Sequence, residues 1–210
     1  MRSIIFANGE YCQEVNEINL AADDLVIAAD GGSGHCQNLG IIPNLLIRDF
    51  DSTSQDLIQE WENAGVLIIR HPAQKDQTDL ELALLHAQAE GASEIIVYGA
   101  VGGRLDMTFG NLLLAHPELT FQITLICGGE EVRALHPGES LVLQGTPGES
   151  SIRTEGLEYP LDNEDLGFGL TRGVSNQMAA ERAVIQLERG LLAVIHTQTN
   201  QMESEKDEEV

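Results

Sequence analysis

The sequence predicts an α/β protein: a parallel sheet with helices on both faces, followed by a small all-β sandwich. In residues 1–128, short apolar runs alternate with segments of helical periodicity. Those runs are almost continuously apolar, which is typical of parallel strands covered on both faces. After residue 128 the helical segments give way to short strand-like runs separated by turn residues, the pattern of a β-sandwich.

Six strands and five helices are predicted in the first part of the chain. The strands lie near residues 3–8, 25–30, 45–50, 66–71, 94–100 and 121–127. The helices lie near residues 11–19, 33–40, 54–64, 78–90 and 106–116. The helix at 78–90 has the clearest signals, because Thr78-Asp79-Leu80-Glu81 forms a capping box and Gly91 follows its last turn.

The second part is predicted to contain only strands, namely Val132–Leu135, Leu141–Leu143, Ser151–Thr154, Ala183–Leu187 and Leu191–His196. Glu188-Arg189-Gly190 separates the last two, which are predicted to pair as a hairpin. We therefore expect one domain over residues 1–128, a second over 129–196, and an acidic, disordered tail over 197–210.

Composition narrows the class of protein. A net charge of −23 argues against nucleic-acid binding, which needs a basic surface. No apolar run approaches the length of a membrane span, and the first apolar run is too short for a signal peptide, so a cytoplasmic protein is expected. The three cysteines, Cys12, Cys36 and Cys127, show no CxxC spacing, so free thiols are expected rather than a disulfide or a zinc site.

Four predicted strands run into a turn that carries aspartate. These turns are Asp30-Gly31-Gly32, Arg48-Asp49-Phe50-Asp51-Ser52, Lys75-Asp76-Gln77-Thr78-Asp79 and Gly102-Gly103-Arg104-Leu105-Asp106. The carboxyl ends of parallel strands lie along one edge of the sheet, where such folds bind ligands. Carboxylate oxygens suit a hard cation such as magnesium, which in turn suits a nucleotide polyphosphate. The sequence therefore predicts a metal and polyphosphate site at this edge.

Two of these turns also have simpler structural explanations. Asp51 or Ser52 would cap the helix near residue 54, an explanation as good as a role in ligand binding. Asp49 has no cap to make, which favours a functional role for it. Asp79 lies in a first helical turn, where the helix dipole favours an acid without any function. Asp76 precedes that helix and is the better ligand candidate.

The other two turns combine glycine with charge. Asp30-Gly31-Gly32 lets backbone approach a ligand closely, although it is not a GxGxxG dinucleotide fingerprint. Arg104 would either clamp phosphate oxygens or simply pair with Asp106 in an exposed loop.

Five motifs taken in order resemble those of the thiamine pyrophosphokinase family: Ala29-Asp30-Gly31-Gly32, Arg48-Asp49-Phe50-Asp51-Ser52, Asp76-Gln77-Thr78-Asp79-Leu80-Glu81, Gly102-Gly103-Arg104-Leu105-Asp106 and Gly173-Val174-Ser175-Asn176. The resemblance extends to about residue 196 and includes the change from α/β to β structure. It implies transfer of a pyrophosphoryl group from ATP to the hydroxyl of thiamine, giving thiamine diphosphate and AMP, with Mg²⁺. It further implies a homodimer with sites across the interface.

The resemblance also implies roles for individual residues. The α/β domain would be catalytic and bind ATP, and the β-domain would bind thiamine through Ser175 and Asn176. The implied catalytic residues are Asp49, Asp51, Asp76 and Asp79. Of these, Asp49, Asp51 and Asp76 would hold the metal, while Asp76 or Asp79 would accept the hydroxyl proton. The implied ATP-binding residues are Asp30, Gly31, Gly32, Lys75, Thr78, Gly103, Arg104 and Asp106.

Three features depart from the family pattern. Arg48 stands where the family usually has Gly, Met107 stands where it usually has His, and the segment 145–153 is shorter. Arg48 would add a phosphate contact or crowd the metal site, and Met107 removes a polar group. Two other functions stay open. One is a related pyrophosphokinase acting on a pterin alcohol, which the acidic edge fits equally well. The other is a non-catalytic homologue that binds nucleotide or thiamine diphosphate, in which Arg48 and Met107 mark lost chemistry.

Overall fold

The structure is a computed structural model that describes residues 1–11, 18–49, 55–72, 75–114, 122–127, 130–135, 140–144, 155–161, 176–186 and 192–197. The chain divides into two compact units, Met1–Gly128 and Gly129–Val210. Of the predicted disordered tail, residues 198–210 lie outside the described residues, whereas Thr197 belongs to a strand.

The first unit is a six-stranded parallel sheet with helical connections. Its elements are β1 (Arg2–Phe6), β2 (Leu25–Ala29), α1 (Gly32–Leu39), β3 (Leu45–Asp49), α2 (Gln55–Asn63), β4 (Leu67–His71), α3 (Asp79–Ala89), β5 (Glu94–Tyr98), α4 (Leu105–Leu113) and β6 (Gln122–Cys127). The strand order is β6-β5-β1-β2-β3-β4. Every one of these elements was predicted from the sequence. Most of the helix predicted at 11–19 lies outside the described residues, and residues 18–20 are not helical.

Alternate residues of the strands face opposite layers of helix. On one face, Phe6, Ala28 and Leu46 belong to a buried apolar cluster together with Cys36 of α1 and Trp61 of α2. On the other face, Ile5, Ile27, Ile47, Ile95 and Val97 are buried, and α3 contacts β1, β2 and β3. The prediction of a parallel sheet covered on both faces is thus confirmed.

The predicted free, buried thiol is confirmed for Cys36. Its side chain is fully buried, and burial raises the pKa of the thiol to about 12. Cys12 lies outside the described residues, and so does the side chain of Cys127. None of the helices in the described ranges is long and apolar enough to cross a membrane.

The second unit contains two antiparallel strand pairs. Its strands are β7 (Glu130–Leu135), β8 (Ser140–Gln144), β9 (Arg182–Gln186) and β10 (Leu192–Thr197). β7 pairs with β10, and β8 pairs with β9. The strand predicted at Ser151–Thr154 lies outside the described residues.

The predicted hairpin of the last two strands is wrong. Ala183 and Ile185 of β9 share one buried cluster with Val194 of β10, although β9 and β10 pair with different partners. Consecutive strands that share a core but not a hydrogen-bond ladder are typical of a sandwich, because each lies in a different layer. Sequence patterning detects that both strands have an apolar face, but not which strand each one pairs with.

A buried side-chain amide holds the segment between β8 and β9. Asn176 Oδ1 accepts hydrogen bonds from the N–H groups of Tyr159 (3.1 Å) and Gln177 (3.0 Å), and Asn176 Nδ2 donates to the Tyr159 carbonyl at 2.9 Å. The amide therefore stands in for a strand partner at Tyr159 and leaves none of that residue's backbone groups unsatisfied.

We expect the substitution Asn176→Ala to destabilise the second unit by about 1 kcal/mol, because it removes partly buried hydrogen bonds to the N–H and carbonyl groups of Tyr159. Urea denaturation followed by circular dichroism measures the loss, and hydrogen exchange at the Tyr159 amide locates it. Gln177→Ala, at the exposed neighbouring position, is the control and is expected to have little effect. Equal stability of Asn176→Ala and wild type would contradict this role.

Candidate functional site

The first unit has a cleft of about 320 Å³ at the carboxyl-terminal edge of its sheet. The turns after β1, β2 and β5 form it together with the first turns of α3 and α4. It is lined by Ala7, Asn8, Gly9, Ala29, Asp30, Asp79, Leu80, Ala100, Gly102, Gly103, Arg104, Met107 and Asn111. Four predicted site residues are among these: Asp30, Asp79, Gly103 and Arg104.

The cleft lies where the direction of chain progression across the sheet reverses. From β1 the chain continues to β2 on one side, whereas β5, on the other side of β1, is reached only after β4. In open parallel sheets the strand ends at such a switch point leave a crevice that binds ligands. Here backbone hydrogen bonds extend the β1–β5 pairing into the turns, from the N–H groups of Ala7, Gly9 and Glu10 to the carbonyls of Tyr98, Gly99 and Val101.

Close backbone approach explains two glycines at this edge. A Cβ on Gly9 would lie 2.3 Å from the Val101 carbonyl oxygen, and a Cβ on Gly32 would lie 1.9 Å from the Phe6 carbonyl oxygen. Gly32 and its neighbour Gly31 were predicted to bind ATP, but neither is among the described residues that line the cleft. The structure accounts for Gly32 by the packing of α1 against the end of β1.

Asp30 adopts an uncommon backbone conformation at the end of β2. Its φ is 48°, which makes it the one non-glycine residue with a positive φ among the described residues. The Asp30 N–H donates to the Ile47 carbonyl at 2.7 Å, and Asp30 Oδ2 accepts from Asn8 Nδ2 at 3.3 Å. These contacts hold the turn so that Asp30 lines the cleft.

Lys75 joins two of the predicted acids. Its Nζ donates to Asp49 Oδ1, at the end of β3, and to Asp79 Oδ1 at 2.7 Å, in the first turn of α3. Only 12% of the Lys75 side chain is exposed. Two carboxylates from separate elements therefore converge on one cationic nitrogen.

Burial and charge act in opposite directions on this group. Burial is the main influence on Asp79 and raises its pKa, while the hydrogen bond from Lys75 lowers it and the nearby carboxylates of Asp49 and Asp30 raise it further. For Lys75, burial acts to lower the pKa, but the hydrogen bonds to Asp49 and Asp79 outweigh it, so that the pKa is raised. Lys75 is thus protonated at neutral pH. Asp30 is close enough to Asp79 to raise the pKa of its carboxyl group.

Thr78 is the N-cap of α3. Its Oγ1 accepts a hydrogen bond from the Glu81 N–H at 3.1 Å, as the capping-box pattern predicts. This cap orients the first helical turn, which carries Asp79. The predicted contact of Thr78 with ATP stays a prediction.

Arg104 and Asp106 form a two-pronged ion pair at the start of α4. The Arg104–Asp106 distances are 3.0 Å from Nε to Oδ1 and 2.5 Å from Nη2 to Oδ2. The hydrogen bond from Arg104 lowers the pKa of Asp106 to about 2. Because 74% of the Arg104 side chain is exposed, its guanidinium borders the cleft without being locked in a buried contact.

The two substitutions at family positions have different surroundings. Met107 lines the cleft, so the absence of a polar side chain there affects the site directly. Arg48 is only 3% exposed, and its Nε donates to the Asp49 carbonyl at 3.1 Å. Arg48 therefore acts on the backbone that carries Asp49, and it is not among the described residues that line the cleft.

The predicted metal ligands are only partly brought together. Asp51 lies outside the described residues, as does Ser175, and Asp76 is exposed. Within the described ranges, no group of three or more His, Cys, Asp or Glu side chains is arranged to hold a metal ion. Instead, Asp49 is paired through Lys75 with Asp79. Asn176, predicted to contact thiamine, directs its amide to the Tyr159 backbone.

Sequence reasoning missed the turn after β1 and the buried side of α4. Asn8 and Gly9 line the cleft, and the Asn-Gly pair directly after an apolar strand was the signal that could have found them. Asn111 also lines it, and its Nδ2 donates to the Ala100 carbonyl at 2.6 Å, which fixes the turn after β5. Nothing in the local sequence of α4 distinguishes Asn111 from a surface asparagine.

Two protein-family models match the chain. Residues 18–127 match "Thiamin pyrophosphokinase, catalytic domain", and residues 143–192 match "Thiamin pyrophosphokinase, vitamin B1 binding domain". The thiamine pyrophosphokinase of Bacillus subtilis is 30% identical over 186 residues, which cover 82% of this chain and 87% of that protein. Thiamine pyrophosphokinase 1 of Arabidopsis thaliana is 26% identical, over 73% of this chain and 65% of that protein.

Solved structures give the same result. The crystal structure of Bacillus subtilis thiamine pyrophosphokinase superposes with a TM-score of 0.80 and 26% identity, covering 95% of this chain and 100% of that one. A thiamin pyrophosphokinase family protein from Enterococcus faecalis superposes with a TM-score of 0.77 and 27% identity, with the same coverage. Because the catalytic-domain match alone takes in half of the sequence, and the Bacillus subtilis protein aligns with most of it, this chain belongs to the thiamin pyrophosphokinase family.

Proposed function

We propose that this chain is a thiamine pyrophosphokinase, which transfers a pyrophosphoryl group from ATP to the hydroxyl of thiamine and releases AMP. Family membership supports the reaction, and the match to a vitamin B1 binding domain supports thiamine as the acceptor. The observation that carries the proposal is the convergence of Asp49 and Asp79 beside a cleft lined by Asp30 and Arg104.

The cleft suits the phosphates of ATP. Arg104 presents a planar donor group that matches phosphate oxygens, and Gly102 and Gly103 expose backbone beside it. Since the Arg104–Asp106 pair is solvent-exposed, exchanging Asp106 for a phosphate costs Arg104 little. ATP would lie here with its phosphates directed toward the acidic group.

The donor set fits the Mg²⁺ that the family resemblance implies. Asp49 and Asp79 place carboxylate oxygens around a single point, and Asp30 adds a third carboxylate nearby. We therefore assign Asp49 and Asp79 as residues that would hold the cation, with Asp51 as a further predicted ligand. Bound there, Mg²⁺ would neutralise charge on the phosphate oxygens.

The chain's own residues would position the reactants and accept one proton. The thiamine hydroxyl oxygen forms a bond to the β-phosphorus of ATP, the bond from that phosphorus to the α,β-bridging oxygen breaks, and AMP leaves. Of the two predicted proton acceptors, Asp79 is bound by Lys75 while Asp76 is exposed, so we assign the hydroxyl proton to Asp76. Arg104 would bind phosphate oxygens and hold the nucleotide in line.

The two other functions receive less support. A pterin alcohol would suit the acidic edge equally well, but the matched B1-binding domain favours thiamine. A non-catalytic homologue would not need Asp49, Asp79 and Arg104 together at one edge. Met107 and Arg48 alter the surroundings of these residues without replacing them.

We also propose that the protein is a homodimer. α4 exposes Leu105, Phe109 and Leu113, which are spaced four residues apart and so lie along one side of the helix. A stripe of large apolar side chains on a helix is typical of a surface that is covered by a partner.

With MgCl₂, ATP and thiamine, we expect the purified protein to release AMP and form thiamine diphosphate in equal amounts. Quantitative chromatography of both products measures this, and a pterin alcohol in place of thiamine is expected to release no AMP above the background. AMP release with the pterin alcohol alone would support the other pyrophosphokinase, and nucleotide binding without either product would support the non-catalytic homologue.

Asp79→Asn is expected to lower kcat on the order of a hundredfold, because one carboxylate of the converging pair is lost. Glu81→Gln is the matched control. It removes an acid from the same first turn of α3, so the helix loses a similar favourable interaction between an acid and its dipole. If both variants lose activity equally, the effect belongs to the helix and not to the site.

Phe109→Ser is expected to shift the protein from dimer to monomer, because it places a polar group in the middle of the apolar stripe on α4. Light scattering coupled to size-exclusion chromatography measures the mass. Ile42→Ser removes an exposed apolar side chain elsewhere and is expected to leave the mass unchanged. A wild-type monomer would contradict the proposal.

A further inference from the structure

We propose that Lys75 is the built-in counter-ion of a divalent-cation site. Its ammonium group occupies the point where Asp49 and Asp79 converge, and it leaves that point when the cation binds. Lys75 then becomes available to the nucleotide phosphates. The inference deepens the proposed function and rests on it only for the identity of the site as one that binds a divalent cation.

The contacts of Lys75 establish the shared position. Its Nζ donates to one oxygen of Asp49 and one of Asp79, and all three side chains are largely withdrawn from solvent. A divalent cation held by these two carboxylates would need the space between them that the ammonium group fills. The ammonium group and the cation therefore compete for one position.

Electrostatics explain why such a counter-ion is needed. Asp49 and Asp79 converge on this point from the end of β3 and the start of α3, and Asp30 at the end of β2 adds a further negative charge near Asp79. Like charges held this close repel one another when they are not neutralised. Lys75 keeps the strand and helix ends in their arrangement before a cation arrives, and the cation takes over that role.

The position of Lys75 in the chain permits the exchange. Residues 75–78 belong to no helix or strand, and Lys75 reaches the acids through its long side chain. A lysine ammonium is a point charge on a flexible stem, so it can move to a neighbouring acceptor without moving the backbone. The cleft that receives the phosphates is adjacent, since Asp79 also lines it.

The first test measures binding of Mn²⁺ alone by electron paramagnetic resonance, without ATP or thiamine. Lys75→Met removes the charge and keeps most of the unbranched side chain, so we expect it to bind Mn²⁺ about tenfold more tightly than wild type. Arg70→Met removes an exposed positive charge from neighbouring β4 and is expected to match wild type, as is Lys75→Arg, which keeps the charge. Unchanged or weaker binding by Lys75→Met, tighter binding by Lys75→Arg, or no binding by any of the four proteins would overturn the proposal.

The second test uses the unmodified protein and so does not depend on the folding of a variant. Lys75 and Lys206 are the only lysines, and Lys206 serves as an internal reference. Acetylation of each amine is followed by mass spectrometry with and without saturating Mg²⁺. We expect Mg²⁺ to increase the labelling of Lys75 relative to Lys206 several-fold, because the amine leaves the carboxylates. An unchanged or lower ratio would overturn the proposal.

Neither test involves turnover. If the protein releases no AMP but Mn²⁺ binds Lys75→Met more tightly, the proposed function fails and the counter-ion role stands. If AMP is released but both tests give the contradicting result, the proposed function stands and the counter-ion role fails.

Discussion

The convergence of carboxylates at one edge of the parallel sheet is the constraint on which the rest of the first unit depends. Asp30, Asp49 and Asp79 come from the ends of three different elements, and parallel strands leave no other place for them. Their mutual repulsion needs a cation, which Lys75 supplies through hydrogen bonds to two of them. The Thr78 cap and the buried contact of Arg48 with the Asp49 carbonyl then fix the backbone on which these acids stand.

The same edge carries both the carboxylates proposed to hold a cation and the groups proposed to bind an anion. The carboxylates lie on the β2–β3 side, whereas Arg104 and the glycines of the turn after β5 lie on the other side of the cleft. A metal–polyphosphate complex has both kinds of charge, and this arrangement offers a partner for each. Pyrophosphoryl transfer needs such positioning and charge neutralisation more than a covalent nucleophile, so the architecture suits the chemistry of the thiamin pyrophosphokinase family.

Much of the fold and the composition of the acidic edge could be predicted, because apolar runs mark parallel strands and parallel strands place their ends together. The identity of side-chain partners could not. The ion pair of Lys75 with Asp49 links residues far apart in the sequence. Through Lys75 the structure brings Asp79 next to Asp49, whereas the sequence had suggested Asp76 as the better ligand candidate. The prediction of strand pairing in the second unit was wrong for a similar reason. The apolar faces of β9 and β10 are compatible both with a hairpin and with strands in opposite layers. The hydrogen bonds of the Asn176 amide to the Tyr159 backbone could not be predicted either, and the contact of Asn176 with thiamine stays a prediction.

A crystal structure with Mn²⁺, a non-hydrolysable ATP analogue and thiamine tests the central claim most directly, because the anomalous signal of manganese locates the cation. We expect a manganese peak between the carboxylates of Asp49 and Asp79, the triphosphate in the cleft beside Arg104, and the Lys75 ammonium on a phosphate oxygen. Manganese and nucleotide bound elsewhere, with Lys75 still joining Asp49 to Asp79, would contradict it.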